Sequence, residues 1–304
     1  AAGAKRPDPS RYQVKRDDTM RRFLTLTLAL SLMTGVPAAA FAAGTLDTIR
    51  STGKIKLGYR ENTPPFAFVE DGEAAGYSVD LCMAVAQSIQ KQLELDELQI
   101  EWIPVSAEKR MEDVANNKVD IECGATTNTL SRQEMVDFSL ITFVTGGSFV
   151  TLKASDVRSA SDLNGKRIAV TKGTTTEAAL EKYLWLKLVQ ADVRAVESHA
   201  DGMRMLDSGE IDAYAADQIV LRGQVLKVAD RDKYDLAEDL FSYEPYGLVI
   251  RRGDPDFRLA VNRALAKTFG TNQILALYRK WFGEFEMEPN PLLLAVFRIQ
   301  ALPE

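Results

Sequence analysis

The feature of this sequence that most restricts its fold is a regular alternation of strand-like and helix-like segments. The first set has strand patterns at 54–59, 99–104 and 119–123, and helix patterns at 78–93 and 108–116. A second set begins near Leu163, with strand patterns at 167–171 and 192–196 and a helix that opens at Thr174. Such alternation is typical of parallel sheets with crossover helices, and it predicts an α/β fold.

A short motif occurs in both sets and suggests two related halves. Residues 117–121, Asn-Lys-Val-Asp-Ile, resemble residues 209–213, Gly-Glu-Ile-Asp-Ala, and each run follows an amphipathic helix and enters a strand. Two related sheets explain the match, although helix-to-strand junctions are alike in any α/β protein and chance agreement stays an alternative. A chain of 304 residues is long enough for two domains.

The first 42 residues have the pattern of an export signal. Met20-Arg21-Arg22 precedes an apolar run from Phe23 to Val36, and small residues end the pattern at Ala40-Phe41-Ala42. A transmembrane helix is the alternative, but about 14 apolar residues are too few to cross a hydrocarbon core of ~30 Å. Residues 1–19 are interpreted as an upstream extension. We expect cleavage near Ala42 and a periplasmic mature protein.

The charge of the chain excludes one class of partner. The formal net charge is −6, and residues 1–42 carry seven Lys or Arg against three Asp or Glu, so their removal leaves −10. Nucleic-acid binding needs clustered positive charge, and no Lys-rich or Arg-rich stretch follows. We therefore expect no nucleic-acid partner, and an anionic ligand would need local positive groups.

The two cysteines, Cys82 and Cys123, permit either a disulfide or two buried thiols. An exported chain reaches an oxidising compartment, where disulfides persist. Cys82, however, shares the apolar face of a helix pattern with Val85 and Ile89, and buried Cys packs as a small hydrophobe. The sequence favours two buried thiols.

Polar residues follow the predicted strands at the edge where open α/β sheets bind ligands. Arginines, the only histidine, hydroxyl side chains and a carboxylate are concentrated there. The candidate binding residues are Arg60, Ser106, Arg110, Ala125, Thr127, Arg132, Thr174, Thr175, His199 and Asp217. A guanidinium holds a carboxylate with two parallel hydrogen bonds, so a zwitterion with an additional acidic group would suit this set. Each arginine alone could equally form a surface salt bridge, and His199 alone could cap or pack.

Two four-residue runs have the pattern of a helix start. Thr174-Thr175-Thr176-Glu177 fits a capping box, in which Glu177 caps and the amides of the first turn can meet a carboxylate. Ser131-Arg132-Gln133-Glu134 has the same pattern and predicts a first helical turn that carries Arg132. Both runs place their polar groups beside the predicted ligand.

Several short motifs occur in a fixed order along the chain. They are Gly58-Tyr59-Arg60-Glu61 with Pro65-Phe66, Gly76-Tyr77-Ser78-Val79-Asp80, Glu122-Cys123-Gly124-Ala125-Thr126-Thr127-Asn128, Arg132 with Asp137-Phe138-Ser139, and Lys280-Trp281-Phe282. In this order they resemble the motifs of the amino-acid-binding periplasmic proteins of ABC importers, most closely the glutamate/aspartate-binding members. The resemblance extends from about Gly44 to Phe282.

The resemblance implies a type II periplasmic binding protein fold, with two α/β lobes joined by a two-segment hinge. The hinge segments would lie at 144–148 and 244–248, where glycines suit backbone rotation. Lobe 1 would comprise residues 43–145 and 247–304, and lobe 2 residues 146–246.

The resemblance further implies which groups hold the main-chain end of an amino acid. The residue that matches Arg132 binds the α-carboxylate in this family, together with threonines at the positions of Thr127 and Thr175. The α-amino group meets the carboxylate that matches Asp217. These four residues are present in the sequence.

The side-chain carboxylate of an acidic ligand is met in the family by residues that match Arg60, Arg110 and His199, and all three are present. Two serines that assist such binders fall at Ala107 and Ala125, although Ser106 is adjacent. This departure leaves the preference between glutamate and aspartate open.

The implied function is capture of L-glutamate or L-aspartate by hinge closure and delivery to the transmembrane subunits of an ABC permease, by a monomer without cofactor or metal. A glutamine or asparagine binder is the first alternative. A dehydratase or lytic enzyme on the same fold, with Glu61 or Glu108 as acid, and a sensory module are others. One His and two distant Cys are too few for a zinc site, and no Gly-x-Ser-x-Gly motif occurs, so we expect no catalytic residues.

Overall fold

The computed structural model describes residues 44–158, 160–285 and 287–304. The predicted export signal and upstream extension lie outside these residues. Two five-stranded sheets with flanking helices form two lobes, as the alternating sequence pattern predicts.

The strands carry the numbers β1 to β13 in chain order. They are β1 (Lys54–Tyr59), β2 (Asn62–Thr63), β3 (Ala67–Glu70), β4 (Glu73–Ala75), β5 (Gln99–Pro104), β6 (Ile121–Glu122), β7 (Val136–Thr145), β8 (Gly147–Leu152), β9 (Arg167–Thr171), β10 (Asp192–Val196), β11 (Ala213–Asp217), β12 (Tyr234–Leu236) and β13 (Glu244–Arg251).

The α-helices are numbered separately. They are α1 (Thr45–Thr52), α2 (Tyr77–Gln92), α3 (Arg110–Ala115), α4 (Thr175–Leu186), α5 (His199–Asp207), α6 (Gln218–Leu226), α7 (Pro255–Phe269), α8 (Gln273–Phe282) and α9 (Pro291–Gln300). Short 3-10 turns lie at Arg132–Glu134, Ala160–Leu163, Arg231–Lys233 and Gly283–Phe285.

The first sheet has the order β5-β1-β6-β13-β7, and the second has the order β10-β9-β11-β8-β12. In the first sheet β5, β1 and β6 are parallel, and β13 pairs antiparallel with both β6 and β7. In the second sheet β10, β9 and β11 are parallel, and β8 is antiparallel to β11 and β12. The carboxyl ends of the parallel strands therefore mark one ligand-binding edge in each lobe.

The two chain crossings between the lobes lie side by side. The chain leaves the first sheet at Thr145 and enters the second at Gly147, and it returns between β12 and β13. The amide of Gly147 donates to Ser242 Oγ over 2.8 Å, and the amide of Phe241 donates to the carbonyl of Gly147 over 2.9 Å. These bonds tie the outgoing and returning segments together.

The core of the first lobe is a cluster of aromatic rings beneath α2 and α8. Phe143 stacks on Phe282 with ring centroids 4.9 Å apart, and Phe66 meets Tyr246 edge to face at 5.1 Å. All four rings are buried. Phe66 and Phe282, which belong to two of the sequence motifs, thus meet in one core.

Cys82 on α2 and Cys123 after β6 form a disulfide, so the prediction of two buried thiols was wrong. Their Cα atoms are 6.1 Å apart, a separation that a disulfide spans. Both side chains are fully buried in the core of the first lobe, so the packing expected of small apolar groups is present together with the covalent bond. The bond ties α2 to the loop that carries Ala125 and Thr127.

Candidate functional site

A cavity lies between the lobes, at the carboxyl ends of the parallel strands. Its walls are Arg60, Thr63, Arg110, Ala125, Thr127, Thr171, Thr174, Thr175, Thr176, His199, Ala215, Ala216, Asp217 and Val220. Eight of the ten residues chosen from the sequence are among them. The cavity measures about 20 Å³, so its two walls lie close together.

The other two candidates, Arg132 and Ser106, do not line this cavity. Arg132 lies beside it and spans the lobes: Nη1 donates to the carbonyl of Thr127 over 2.9 Å, and Nη2 donates to the carbonyl of Gly173 over 3.2 Å. Ser106 is exposed, and its Oγ accepts from the amide of Lys109 over 3.1 Å. Ser106 therefore caps the turn before α3 and faces away from the cavity wall.

Two arginines of the first lobe supply positive charge to the cavity. Arg110 opens α3, and its Nε donates to Thr126 Oγ1 over 2.7 Å while Nη1 donates to the carbonyl of Ala107. Arg60 follows β1 and is only 6% exposed, yet its side chain forms no hydrogen bond or ion pair with any residue that the structure describes. Burial and then the charge of Arg110 lower the pKa of Arg60 to about 10. An unpartnered buried guanidinium is a strong site for an anion.

His199 faces these arginines from the second lobe, within a small hydrogen-bonded cluster. Its Nδ1 lies 2.6 Å from the hydroxyl of Tyr214, which in turn lies 2.7 Å from Thr171 Oγ1. Burial, then Arg60 and then Arg110 lower the pKa of His199 to about 3, so the ring is neutral near pH 7. When Tyr214 donates to Nδ1, the proton of the ring lies on Nε2. His199 can then offer a hydrogen bond to a carboxylate, without a charge.

Asp217 ends β11 and provides negative charge to the same cavity. It accepts hydrogen bonds from Thr176 Oγ1 over 2.5 Å and from the hydroxyl of Tyr246. Burial and then the charge of Glu244 raise the pKa of Asp217 to about 6. A cation placed beside this carboxylate would stabilise its ionised form.

Glu244, the first residue of β13, is a site residue that the sequence reasoning missed. It is 2% exposed, and Oε2 accepts from Thr127 Oγ1 over 2.6 Å and from Thr175 Oγ1 over 2.5 Å. Oε1 accepts from Ser242 Oγ over 2.6 Å. Each hydroxyl has one proton, so Thr127 and Thr175 cannot donate to a ligand while they donate to Glu244.

The helix start at Thr174 is formed as predicted. Thr174 Oγ1 accepts from the amide of Glu177 over 3.3 Å, and Glu177 Oε2 accepts from the amide of Gly173 over 3.1 Å, so Glu177 caps the helix. The second predicted cap is wrong: Arg132 lies in a 3-10 turn, and Ser131 does not cap it. Thr129 Oγ1 accepts from the amide of Arg132 over 3.2 Å instead, because the turn is too short for the capping-box spacing.

Two α/β lobes that enclose a polar, cationic cavity define the class of two-lobed solute-binding proteins. The chain belongs to the bacterial extracellular solute-binding proteins of family 3, whose family model matches residues 55–284. Relatives of the chain include amino-acid-binding proteins of ABC transporters. The fold is the type II periplasmic binding protein fold. No helix in the described part of the chain is both long and apolar enough to span a bilayer.

The relatives and solved structures that are similar to this chain are named for different ligands. The chain is 33% identical over 263 residues to an L-glutamate/L-aspartate-binding protein of Pseudomonas aeruginosa, covering 86% of this chain and 87% of the relative. It is 29% identical over 244 residues to a glutamine-binding protein of Bacillus subtilis, covering 79% and 85%. An ancestral amino-acid-binding protein, described as a precursor of cyclohexadienyl dehydratase, superimposes with a TM-score of 0.68 at 28% identity, covering 79% and 100%.

Proposed function

We propose that this protein captures an acidic L-amino acid, glutamate or aspartate, in the periplasm and delivers it to the transmembrane subunits of an ABC permease. The observation that carries the proposal is the Arg60 guanidinium, which is buried beside Arg110 without a partner among the described residues. A ligand carboxylate would supply that partner, and His199 Nε2 could add a neutral hydrogen bond. The Pseudomonas relative, named for glutamate and aspartate, supports the same ligand class.

The main-chain end of the ligand is assigned to the opposite wall of the cavity. In this proposal the α-amino group meets Asp217, and the α-carboxylate meets Arg132 and the first turn of α4. Thr127 and Thr175 would join it only when they release Glu244. The ligand thus contacts both lobes, binds the closed arrangement more tightly than an open one, and shifts the population towards closure.

The moving bodies are proposed to be residues 43–145 with 247–304, and residues 146–246. The permease would then recognise the closed monomer. We further propose that the protein performs no chemistry. The two acids considered for catalysis support this, because Glu61 is exposed and Glu108 forms a 3.0 Å ion pair with Lys172 across the lobes. Neither residue lines the cavity.

The alternative ligand is glutamine or asparagine, favoured by the name of the Bacillus relative. An amide side chain would give the Arg60 guanidinium no charged partner within hydrogen-bonding distance, and a buried charge without a direct partner is costly. We therefore rank the acidic ligands first. The two hypotheses differ in how much affinity depends on Arg60.

Isothermal calorimetry of residues 43–304 with glutamate, aspartate, glutamine and asparagine tests the proposal. We expect Arg60→Ala to weaken glutamate binding by about 10- to 100-fold and to change glutamine binding little, because a hydrogen bond to a charged group contributes ~1.5–3 kcal/mol. Arg132→Ala should abolish binding of every amino acid. Arg167→Ala, which removes an arginine paired with Asp212 far from the cavity, is the matched control. Equal losses of glutamate and glutamine in Arg60→Ala would contradict the assignment.

A further inference from the structure

Glu122, the last residue of β6, is a buried carboxylate with no role in the binding scheme above. It is 0% exposed, and neither of its carboxylate oxygens has a hydrogen-bond partner among the described residues. Its Oε1 lies directly against the backbone of Gly124, where any Cβ would overlap it. The same Cβ position is 3.4 Å from Cγ of Arg60, so the carboxylate and the Arg60 side chain lie near the same side of Gly124.

The positive charges that act on Glu122 are those of the ligand site. Burial raises the pKa of Glu122, whereas the charge of Arg110 first, then the nearby Thr126 hydroxyl, and then the charges of Arg60 and Arg132 lower it. No described cation lies within salt-bridge distance of it. A buried carboxylate without hydrogen bonds is tolerated only where nearby charges compensate it. Glu122 therefore acts on these arginines through its field rather than through a direct pair.

The three carboxylates of the site act unequally on its arginines. Glu244 and Asp217 act on the pKa of Arg132 more strongly than Glu122 does. Glu122 acts on Arg110 more strongly than Asp217 does, and it is the carboxylate that raises the pKa of Arg60. Glu122 is thus the carboxylate that acts most strongly on both arginines at this end of the cavity before any ligand enters.

We propose that Glu122 is a specificity-determining residue, an inference that rests on the proposed function: its negative charge offsets part of the charge of Arg60 and Arg110 and limits the preference for an acidic over an uncharged side chain. The side-chain carboxylate of a ligand and the carboxylate of Glu122 are both attracted to the guanidinium groups of Arg60 and Arg110. An amide side chain does not compete in this way. Removal of the Glu122 charge therefore strengthens binding of glutamate and leaves binding of glutamine nearly unchanged.

The test is calorimetry at pH 8 with glutamate and glutamine on the wild type, Glu122→Gln and a control, Glu112→Gln. The control makes the same change of charge at an exposed position on α3, the helix that carries Arg110. We expect the ratio of the glutamine Kd to the glutamate Kd to rise at least fivefold in Glu122→Gln and to stay constant in Glu112→Gln. An unchanged or smaller ratio in Glu122→Gln overturns the proposal.

Two additions keep the outcome decisive. If Glu122→Gln does not fold, Glu122→Met supplies the same comparison, because an apolar side chain of similar length needs no hydrogen-bond partner. Repeating Glu122→Gln in an Arg60→Gln background tests whether Glu122 acts through Arg60. The rise in the ratio of the glutamine Kd to the glutamate Kd should then shrink by half or more. A full rise in that background would show that Glu122 does not act through Arg60. A wild type that binds neither ligand would instead refute the proposed function.

Discussion

The hydroxyl of Thr175 donates to the carboxylate of Glu244 over 2.5 Å, and this hydrogen bond joins the second lobe to the strand that returns to the first. Thr127 of the first lobe donates to the same oxygen over 2.6 Å. One buried carboxylate at a lobe crossing thus holds a donor from each lobe. Glu244 is placed to couple closure of the lobes to the main-chain end of the ligand.

We expect Glu244→Ala to weaken binding of glutamate and glutamine alike, by about 10- to 100-fold, because the closed arrangement loses hydrogen bonds to a charged acceptor. Calorimetry gives both affinities, and small-angle scattering should show a larger radius of gyration without ligand. Glu238→Ala, at an exposed position between β12 and β13, serves as the control. Tighter binding by Glu244→Ala would mean that Glu244 chiefly competes with the ligand for the threonine hydroxyls.

A second prediction concerns Gly223 on α6, which packs against the first lobe. A Cβ at this position would overlap the carbonyl oxygen of Pro64. Gly223→Ala should therefore disfavour closure and weaken binding of all amino acids about tenfold or more, with a change of less than ~1 kcal/mol in the free energy of unfolding of the open protein. Gly283→Ala introduces the same methyl group into open space and should bind like the wild type. Normal affinity in Gly223→Ala would show that the lobes need not approach this closely.

The pH dependence of binding should report Asp217, whose folded-state pKa is about 6. A ligand ammonium group needs the ionised carboxylate, so affinity should fall as the pH drops below about 6, by at most about tenfold per pH unit for one linked proton. Calorimetry between pH 4.5 and 8 in Asp217→Asn should show weak binding without this dependence. A wild-type affinity that is constant over this range would argue against Asp217 as the ammonium partner.

Asp217 should also affect the stability of the folded protein, with a pH dependence opposite to that of ligand binding. Its folded pKa lies above the ordinary value of 3.8, so ionisation costs more in the folded protein than in the unfolded chain. The contribution of Asp217 to stability is therefore complete at low pH and is lost as the pH rises from about 4 to about 6. Urea unfolding without ligand at pH 7 should find Asp217→Asn more stable than the wild type by about 1–3 kcal/mol. A less stable variant would contradict the raised pKa.

The disulfide between Cys82 and Cys123 closes a loop with a sequence separation of 41 residues. Chain-entropy arguments for a loop of this length give about 4 kcal/mol, and typical measured losses are ~2–5 kcal/mol. We expect the double variant Cys82→Ala, Cys123→Ala to lose about this much free energy of unfolding. Urea titration measures it, and titration of the wild type with and without a thiol reductant is the parallel comparison. No loss on either route would show that the bond adds no net stability.

The sequence predicted the fold class and much of the cavity because these follow from local patterns and one topological rule. Strand and helix periodicity identified the parallel strands, and their carboxyl ends pointed to Arg60, Arg110, His199 and Asp217. Those four side chains line one cavity although up to 157 positions separate them in the chain. Packing between lobes brings them together, which no local pattern shows.

The residues that the sequence reasoning missed share a different position in the sheets. Glu244 and Tyr246 lie at the start of β13, and because β13 is antiparallel to β6 its amino end reaches the ligand edge. A rule based on the carboxyl ends of strands cannot find them. Tyr214 lies within β11, and its side chain is long enough for the hydroxyl to reach His199. The disulfide was missed because pairing depends on the 6.1 Å between two Cα atoms of separate elements.

The position of β13 in the first sheet has a consequence for the order of folding. β13 lies between β6 and β7, and β7 has no other partner strand in that sheet. Until the ribosome has released residues 244–251, the sheet remains split and β7 has an unpaired edge on both sides. The first lobe cannot complete its folding before almost the whole polypeptide is synthesised. Such long-range strand pairing is slow. Pairing of β7 is therefore among the last steps of folding in the first lobe.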